Sequence, residues 1–344
     1  MKAAIFHGPG DLRITDIDST EPGPGEIAVE VKAAATCGTD LKSYRLGHPK
    51  LFPTLPARFG HEFAGVVTSV GDGVTAFRPG MRVVAAHTAP CGRCWACTRD
   101  RQSLCENLTF LNGAFAEELV INREIVERNT YELPDNVAFD VAAPLEPLAT
   151  VVHGVAESGI ELGDTVVVHG AGPIGLMFVQ LARLRGATVI SVDRSAWRLE
   201  QAQQAGASEA INITDLDADQ TDAVIKKATP GGRGADVGIE AVGLPAVWEQ
   251  TVRTLRPGGT AVLFGGTPKG APFSVDSSAM HYEEYTLKGV FHHTPRYVKT
   301  AVDLLASGQV NAELLITEHR SLDRLVESLE DMAAGRGSKY ILVP

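Results

Sequence analysis

The hydrophobic pattern in the middle of the chain predicts strands that alternate with helices. The run TVVVHG at 165–170 is apolar and β-branched, as in a buried parallel strand, and ATVISVD at 187–193 has the character of a second strand. Between them, apolar residues recur with helical spacing from Ile174 to Leu184. This strand–helix–strand order predicts an α/β fold with a doubly wound parallel sheet.

Further strand and helix units follow along the chain. RLEQAQQAGASEAIN at 198–212 predicts a helix and a short strand, while GADVGIEAVG at 234–243 and GGTAVLFGG at 258–266 each end a strand in glycine. The carboxyl ends of parallel strands line the crevice that binds a dinucleotide in such folds. Val242, Gly243, Gly265 and Gly266 are therefore candidate cofactor contacts, with ordinary turn chemistry as the alternative for the glycines.

A glycine pattern stands where the first strand meets its helix. Gly170, Gly172 and Gly175 form G-x-G-x-x-G directly after the strand, which is the context that gives this pattern meaning. The glycines let the backbone approach a pyrophosphate at the helix N-terminus. The remaining residues of this stretch that we expect to line the cofactor site are Pro173, Ile174, Asp193, Arg194 and Arg198.

The acid at the end of the second strand bears on the choice of cofactor. Asp193 lies 23 residues beyond Gly170, where a carboxylate can accept hydrogen bonds from the ribose 2′-hydroxyl. It would repel a 2′-phosphate, so the sequence favours NAD over NADP. Arg194 tempers this preference, because an arginine there can cover the adenine or accommodate a phosphate.

Length, composition and charge narrow the class of protein. A chain of 344 residues predicts two domains, and 44% hydrophobic residues are enough to form their cores. The formal net charge of −11 argues against nucleic acid or an anionic membrane as the main partner. The first residues, MKAAIFHGPG, lack the apolar stretch of a signal peptide, so we expect a soluble cytoplasmic chain whose thiols stay reduced.

Four of the five cysteines lie in one short segment. Cys91, Cys94, Cys97 and Cys105 have the spacing C-x2-C-x2-C-x7-C. In a reducing compartment, four clustered thiols indicate a metal, and four thiolates converging on one ion form a structural zinc site. An iron–sulfur cluster is the alternative, but its usual run closes with a shorter gap and a proline. Four unligated thiols are the remaining possibility.

The fifth cysteine belongs to a scattered set. Cys37 lies in AAATCGTDLKSY, His61 and Glu62 in FGHEFAGVV, and Glu146 in PLEPLATVVHG. Alone, each is more simply explained as a packed or surface residue. Together they supply the thiolate, imidazole and carboxylate of a catalytic zinc site with one open position, where zinc acts as a Lewis acid.

The cysteine segment, the scattered ligands and the dinucleotide motif together resemble the zinc-dependent medium-chain alcohol dehydrogenases. This resemblance implies a catalytic domain with a GroES-like β-barrel, formed by residues 1–148 and 289–344, that carries two zinc ions. It also implies a Rossmann NAD-binding domain over residues 149–288.

Glu146 in LEPLAT makes the chain similar to the sorbitol and polyol dehydrogenase branch of that family. By this resemblance Cys37 and His61 bind the catalytic zinc, while Glu62 and Glu146 exchange as carboxylate ligands. Asp40 corresponds to the carboxylate that orients His61, and Thr39 to the hydroxyl that accepts the substrate proton.

Two places depart from the nearest branch. Lys42 stands where the family often has a histidine at the outer end of the proton relay, and a charged lysine cannot take a proton. His292 and His293 in GVFHHTP replace an Arg-Tyr pair that touches substrate in sorbitol dehydrogenases. Lys42, His292 and His293 are therefore candidate substrate contacts, with a solvated charged face and two surface histidines as the alternatives.

The function implied by the resemblance is hydride transfer between NAD and a primary or secondary alcohol of the polyol, sugar or cyclitol type. The small-molecule alcohol or ketone would be the only partner besides further copies of the chain, in a homodimer or homotetramer. A reductase of the same superfamily that acts on ketones or aldehydes with NAD(P)H, and a non-enzymatic NAD-binding protein, are the rival functions.

Overall fold

The computed structural model describes all 344 residues. The strands are β1 (Lys2–Gly8), β2 (Asp11–Asp16), β3 (Ile27–Ala35), β4 (Ala57–Arg58), β5 (Glu62–Val70), β6 (Arg82–Ala85), β7 (Thr88–Ala89), β8 (Thr109–Phe110), β9 (Glu118–Ile121), β10 (Thr130–Glu132), β11 (Thr165–His169), β12 (Thr188–Asp193), β13 (Glu209–Asn212), β14 (Ala235–Glu240), β15 (Leu255–Leu263), β16 (Thr286–Gly289), β17 (Glu318–Ser321) and β18 (Tyr340–Val343).

The helices alternate with these strands most regularly in the middle of the chain. They are α1 (Gly38–Leu46), α2 (Arg123–Asn129), α3 (Phe139–Ala142), α4 (Leu145–Ser158), α5 (Pro173–Leu184), α6 (Ala196–Gln204), α7 (Ala218–Ala228), α8 (Pro245–Arg253), α9 (Ser277–Tyr282), α10 (Pro295–Ala306) and α11 (Leu325–Ala333). None of them is both long and apolar enough to span a bilayer.

The residues divide into two compact units. The first unit comprises Met1–Ala149 and His293–Pro344, and the second comprises Thr150–His292. The first unit is therefore discontinuous in sequence, with the second unit inserted between its two parts.

The first unit is a β-rich body built on its largest sheet. The strand order is β10-β6-β5-β3-β18-β17, and β9 also pairs with β3. Strands β1, β2 and β4 form a smaller sheet. Strand β3 is buried along most of its length because apolar residues occupy nearly all of its positions, and it aligns antiparallel with β5 so that Ala35 lies opposite Glu62.

Aromatic side chains fill the core of this unit. The rings of Phe6, Phe52 and Phe59 lie 5.0–5.5 Å apart, and Phe115 packs against Phe59 at 6.1 Å. Each such pair contributes about 0.5–1.5 kcal/mol beyond the area it buries. The packing fixes the loop around residue 60, which leads directly into the start of β5.

The second unit contains the parallel sheet that the hydrophobic pattern predicts. Its strand order is β13-β12-β11-β14-β15-β16, and every pairing is parallel. The central strand β11 is buried at all five positions, as its β-branched run requires. From β11 the strands add outward to β13, and the chain then crosses to β14 on the other side of β11, so the strand order reverses between β11 and β14 and the predicted doubly wound fold is confirmed.

Candidate functional site

The first unit brings Cys37, His61 and Glu62 together. Cys37 precedes the first residue of α1. His61 directly precedes β5, and Glu62 is the first residue of that strand, which pairs with the end of β3. Cys37 Sγ lies 3.2 Å from His61 Nε2, and the ligand atoms of all three residues lie within 4.8 Å of one another. A thiolate, an imidazole and a carboxylate at this separation can share one metal ion.

Asp40 orients two of these residues. One carboxylate oxygen lies 3.1 Å from His61 Nδ1 and the other accepts a 2.9 Å hydrogen bond from the backbone N–H of Cys37. Asp40 is buried, so this arrangement leaves Nε2 of His61 on the side of the Cys37 sulfur. Fixing a ligand imidazole through its other nitrogen is the usual way in which proteins orient it toward a metal.

A buried lysine holds Glu62. Lys339 Nζ donates to Glu62 Oε2 at 2.5 Å and to the backbone carbonyl of Thr36 at 2.8 Å, and both charged side chains are fully buried. Glu62 Oε1 is buried without a hydrogen-bond partner. Because an unsatisfied buried carboxylate oxygen is costly, this atom suits a cation beside the Cys37 sulfur.

The raised pKa of the Cys37 thiol also indicates a bound cation at this group. Burial raises the pKa of the Cys37 thiol to about 11, and the charge of Asp40 acts in the same direction. A thiolate at this position therefore needs a cation next to it, and zinc binds the deprotonated form. The donor set of Cys37, His61 and Glu62 fits the zinc that the sequence predicts.

Glu146 lies in a second donor group. It is in the first turn of α4, and its ligand atom lies within 4.8 Å of those of His87 and His293. All three side chains are buried. The two groups are neighbours, since the rings of His61 and His87 lie 4.6 Å apart. The assignment of Glu146 to the catalytic zinc stays a prediction.

The other predicted residues of this region lie on the surface or apart from it. Thr39 and Lys42 are exposed on α1, one helical turn from each other. His292 is half-buried with a φ of 61°, and its carbonyl oxygen accepts a 2.7 Å hydrogen bond from His153 Nδ1. The two adjacent histidines belong to different units, because the second unit ends at His292 and the first unit resumes at His293.

The four clustered cysteines converge in a lobe of the first unit. The sulfurs of Cys91, Cys94, Cys97 and Cys105 lie within 4.8 Å of one another, and none forms a disulfide. Apart from Ala96, the small apolar cluster of this lobe consists of the cysteines themselves. A metal ion would therefore supply the cohesion that such a lobe lacks.

Backbone amides donate hydrogen bonds to sulfur atoms of the same lobe, while burial raises the pKa of Cys97 to about 12 and also raises that of Cys105. The N–H of Cys91 donates to Cys105 Sγ at 3.2 Å, and the N–H of Glu106 donates to Cys94 Sγ at 3.5 Å. Hydrogen bonding, first of all from the backbone of Arg93, lowers the pKa of Cys91 to about 6. This donor pattern fits a structural zinc site of four thiolates.

The glycine motif forms the turn between β11 and α5. Gly170 has a φ of 99°, Gly172 precedes the helix and Pro173 is its first residue. A Cβ on Gly175 would lie 1.8 Å from the carbonyl oxygen of Gly170, so only glycine allows this close packing. A Cβ on Gly172 would enter open space, which leaves room for a phosphate at the helix N-terminus.

Asp193 ties this turn to the end of β12. Its carboxylate accepts hydrogen bonds from the backbone N–H groups of Ala171 at 2.7 Å and of Ser195 at 2.8 Å. Arg194 is exposed, and Arg198 is partly buried with its guanidinium over the ring of Trp197. Asp193 is thus placed at the carboxyl edge of the sheet, beside the glycine turn.

Glu240 organises the neighbouring strand ends. It is fully buried, and its carboxylate accepts hydrogen bonds from the N–H groups of Val242, Gly243 and Gly265. The predicted contacts after β14 and β15 are therefore held together by one side chain. Gly266 follows Gly265 in the same loop.

Sequence reasoning missed His87, Lys339 and Glu240. His87 stands alone in AAHTAPC, and Lys339 precedes a short apolar strand, so neither has a local motif. Their importance comes from partners far along the chain. Glu240 carried a weak signal, because an acid that ends a buried apolar strand needs partners there.

Comparisons with known proteins identify similar chains. Residues 173–307 match the model of the zinc-binding dehydrogenase family, and residues 23–135 match that of the alcohol dehydrogenase GroES-like domain. The chain is 32% identical to sorbitol dehydrogenase of Bacillus subtilis (strain 168), over 96% of this chain and 93% of that protein. It is 31% identical to (R,R)-butanediol dehydrogenase of the same strain, over 95% and 94%.

A solved structure is similar over the whole length. A chain of Sinorhizobium meliloti 1021 assigned as a zinc-binding dehydrogenase and bound to NADP superposes with a TM-score of 0.91. It is 33% identical, and the match covers 100% of this chain and 99% of that one.

Proposed function

Because this chain belongs to the zinc-dependent medium-chain alcohol dehydrogenases, in their sorbitol and polyol dehydrogenase branch, we propose that it transfers a hydride between NAD and an alcohol group of a polyol, sugar or cyclitol. Membership in the family makes the chain an alcohol or polyol oxidoreductase. The observation that carries the proposal is the buried group of Cys37, His61 and Glu62, whose Oε1 has no hydrogen-bond partner.

In this proposal Cys37, His61 and Glu62 hold the catalytic zinc, and Glu146 is the carboxylate that exchanges with Glu62. When bound, zinc supplies a Lewis acid that polarises the substrate oxygen. Asp40 keeps the His61 ring in place through Nδ1, so that Nε2 stays directed at the metal position. The four cysteines of the lobe hold a second, structural zinc.

In this proposal Thr39 accepts the proton of the substrate hydroxyl. Its hydroxyl is exposed in the first turn of α1, two residues after Cys37. A hydroxyl both accepts and donates, so Thr39 Oγ1 accepts the proton of the substrate hydroxyl while its own proton passes to solvent, to which Thr39 is exposed. Lys42, one turn further along the helix, contacts the substrate rather than continuing this relay, because a charged ammonium has no lone pair.

NAD is the proposed cofactor, held at the edge of the parallel sheet. The open space beside Gly172 and the N-terminus of α5 suit the pyrophosphate. The charge of Asp193 disfavours a 2′-phosphate, which supports NAD. The Sinorhizobium meliloti protein was solved with NADP, and the exposed Arg194 could accommodate a phosphate here, so both cofactors must be compared.

The names of two relatives support the proposed substrate class. Sorbitol and 2,3-butanediol, the substrates named for these relatives, both carry adjacent hydroxyl groups. A polyol is thus the proposed class, with His293 and Lys42 as candidate contacts. We also propose that the chain acts in the cytoplasm as a homodimer or homotetramer, which light scattering after gel filtration would test.

Initial rates of NAD reduction by the zinc-loaded protein test the function. The panel contains simple alcohols, free polyols and sugars, cyclitols, and sugar phosphates or acids, with NADP beside NAD. The proposal expects the highest kcat/KM for a polyol, sugar or cyclitol with NAD. A best rate on simple monoalcohols, or no oxidation at all by protein that binds zinc and NAD, would overturn it.

A matched pair of variants tests the proton step. Thr39→Ser keeps a hydroxyl, whereas Thr39→Val removes it at the same size. Because a positioned proton acceptor contributes about 10²–10⁴-fold in rate, Thr39→Val should lower kcat by that factor and Thr39→Ser only slightly. Equal kcat values for the two variants, at equal zinc content, would remove Thr39 from the mechanism.

A further inference from the structure

One buried carboxylate fastens together the loops that follow β14 and β15. Glu240 is the last residue of β14, and its carboxylate accepts hydrogen bonds from the N–H groups of Val242 at 2.8 Å, Gly243 at 2.7 Å and Gly265 at 3.1 Å. Trp248 of α8 donates through Nε1 to the carbonyl oxygen of Gly265 at 3.1 Å. We call these five residues the strand-end clasp.

The two loops of the clasp lie in direct contact. A Cβ on Gly265 would lie 2.3 Å from the backbone nitrogen of Gly243 and 2.6 Å from Glu240 Oε2, so only glycine fits there. The ring of Trp248 packs edge-on against Phe273, with the ring centres 5.2 Å apart, which steadies the indole that holds Gly265. The relative position of the two loops therefore depends on the side chains of Glu240 and Trp248.

Glu240 holds the loops as a carboxylate, because all of its backbone partners are donors. Burial raises the pKa of Glu240, whereas the hydrogen bonds from the N–H groups of Gly243, Val242 and Gly265 lower it. Glutamine has the same size, but one of its two terminal groups is an NH2 donor. The substitution Glu240→Gln thus sets a donor against backbone donors and loosens at least one loop.

The strand order assigns the clasp to one half of a dinucleotide. Strands β12 and β13 lie on one side of β11, and β14, β15 and β16 lie on the other. In a doubly wound sheet each side takes one mononucleotide, and the crevice lies where the strand order reverses. Asp193 at the end of β12 suits the adenosine ribose, so the loops after β14 and β15 are on the side of the nicotinamide.

We propose that Glu240 and Trp248 are positioning residues for the nicotinamide half of NAD. They act through the backbone of Val242, Gly243 and Gly265, which they hold in place before the cofactor arrives. Loops that are already ordered bind a ligand more tightly, because binding does not have to order them. The inference rests on the proposed function, since it takes NAD as the cofactor.

A competing interpretation is that the clasp only supports the glycine turn. A Cβ on Gly170 would lie 2.7 Å from Val242 Cγ2, so the loop after β14 packs directly against the turn that suits the pyrophosphate. In that case loss of the clasp weakens the binding of every ligand with a pyrophosphate. NAD and ADP separate the two interpretations, because ADP has the adenosine ribose and two phosphates but no nicotinamide.

Titration calorimetry of the zinc-loaded full-length protein measures the dissociation constants of NAD and ADP. Glu240→Gln should raise the constant for NAD about ten- to hundredfold, the range for loss of one hydrogen bond to a charged group, and that for ADP less than about threefold. Asp193→Ala is the matched control in the other half, and it should raise both constants by a similar factor. A constant for ADP that rises as much as that for NAD in Glu240→Gln, or an unchanged constant for NAD, would overturn the proposal.

A second variant tests the proposal even if Glu240→Gln fails to fold. Trp248→Phe keeps an aromatic ring beside Phe273 but removes the N–H that holds Gly265, so it should raise the dissociation constant of NAD more than that of ADP. Trp95→Phe makes the same change at an exposed residue of the cysteine lobe and should alter neither constant. An NAD constant in Trp248→Phe equal to that of the unmodified chain would contradict the proposal.

Amide hydrogen exchange reports on the clasp itself. In Glu240→Gln, peptides that contain Val242, Gly243 or Gly265 should exchange faster, while those that contain the glycine turn should keep their rates. Unchanged exchange at the clasp would count against the assignment. Neither measurement depends on turnover, so a protein that binds NAD through the clasp but oxidises no alcohol would refute the proposed function and leave this inference standing.

Discussion

The buried pair of Lys339 and Glu62 offers a prediction whose size follows from the structure. Both side chains are at most 2% exposed, and Lys339 Nζ also donates to the carbonyl oxygen of Thr36. Lys339→Met keeps the apolar stem but leaves Glu62 with neither oxygen satisfied, since Oε1 already has no partner. Removing one member of a buried ion pair costs about 3–5 kcal/mol.

Scanning calorimetry of metal-stripped protein measures this loss, because a zinc ion beside Glu62 would itself compensate the charge. For a cooperative unit of about 200 residues, 1 kcal/mol corresponds to about 2–4 °C, so Lys339→Met should melt about 6–20 °C below the unmodified chain. The double variant Lys339→Met with Glu62→Met should recover most of this loss, because it leaves no unpaired charge. A single variant that melts within 2 °C of the unmodified chain, or a double variant no better than the single one, would refute the reasoning.

Three further predictions concern the other parts of the account. Burial, aided by the charge of Arg253, lowers the pKa of His169 from 6.5 to about 3, so the unfolded chain takes up this proton first and stability falls as the pH drops below 6.5. At pH 5 the cost is about 2 kcal/mol, and unfolding curves of His169→Gln should lose stability less steeply between pH 7 and 5. Asp193→Ala should lower the ratio of kcat/KM for NAD to that for NADP at least about tenfold, whereas damage to the glycine turn alone would lower both values equally. Cys97→Ser should bind one zinc ion fewer per chain and lose heat stability, and unchanged zinc content would remove the lobe as a metal site.

The features that the sequence predicts well are those whose partners are close along the chain. Gly170, Gly172 and Gly175 occupy one turn, and the hydrophobic periods on either side already define the strand and the helix. The four cysteines span only 15 residues from Cys91 to Cys105, so a loop alone can bring them together.

The features that the sequence does not reveal depend on pairing between distant segments. Lys339 and Glu62 are 277 residues apart in the sequence. They are in contact because β18 and β5 both pair with β3. His87 becomes part of a donor group only because Glu146, at the start of α4, and His293, two residues before α10, approach it. No hydrophobic period or residue spacing in the sequence indicates these contacts, because they arise from the packing of distant strands and helices.

The measurement that tests the central claim most directly is the zinc dependence of alcohol oxidation. The full-length protein is freed of metal by chelation, its zinc content is verified, and NAD reduction with the best polyol of the panel is followed as zinc is restored stepwise. The account predicts no turnover without metal and recovery that follows loading of the site at Cys37, with Cys37→Ser inactive throughout. Undiminished turnover in protein verified to contain no zinc would contradict it.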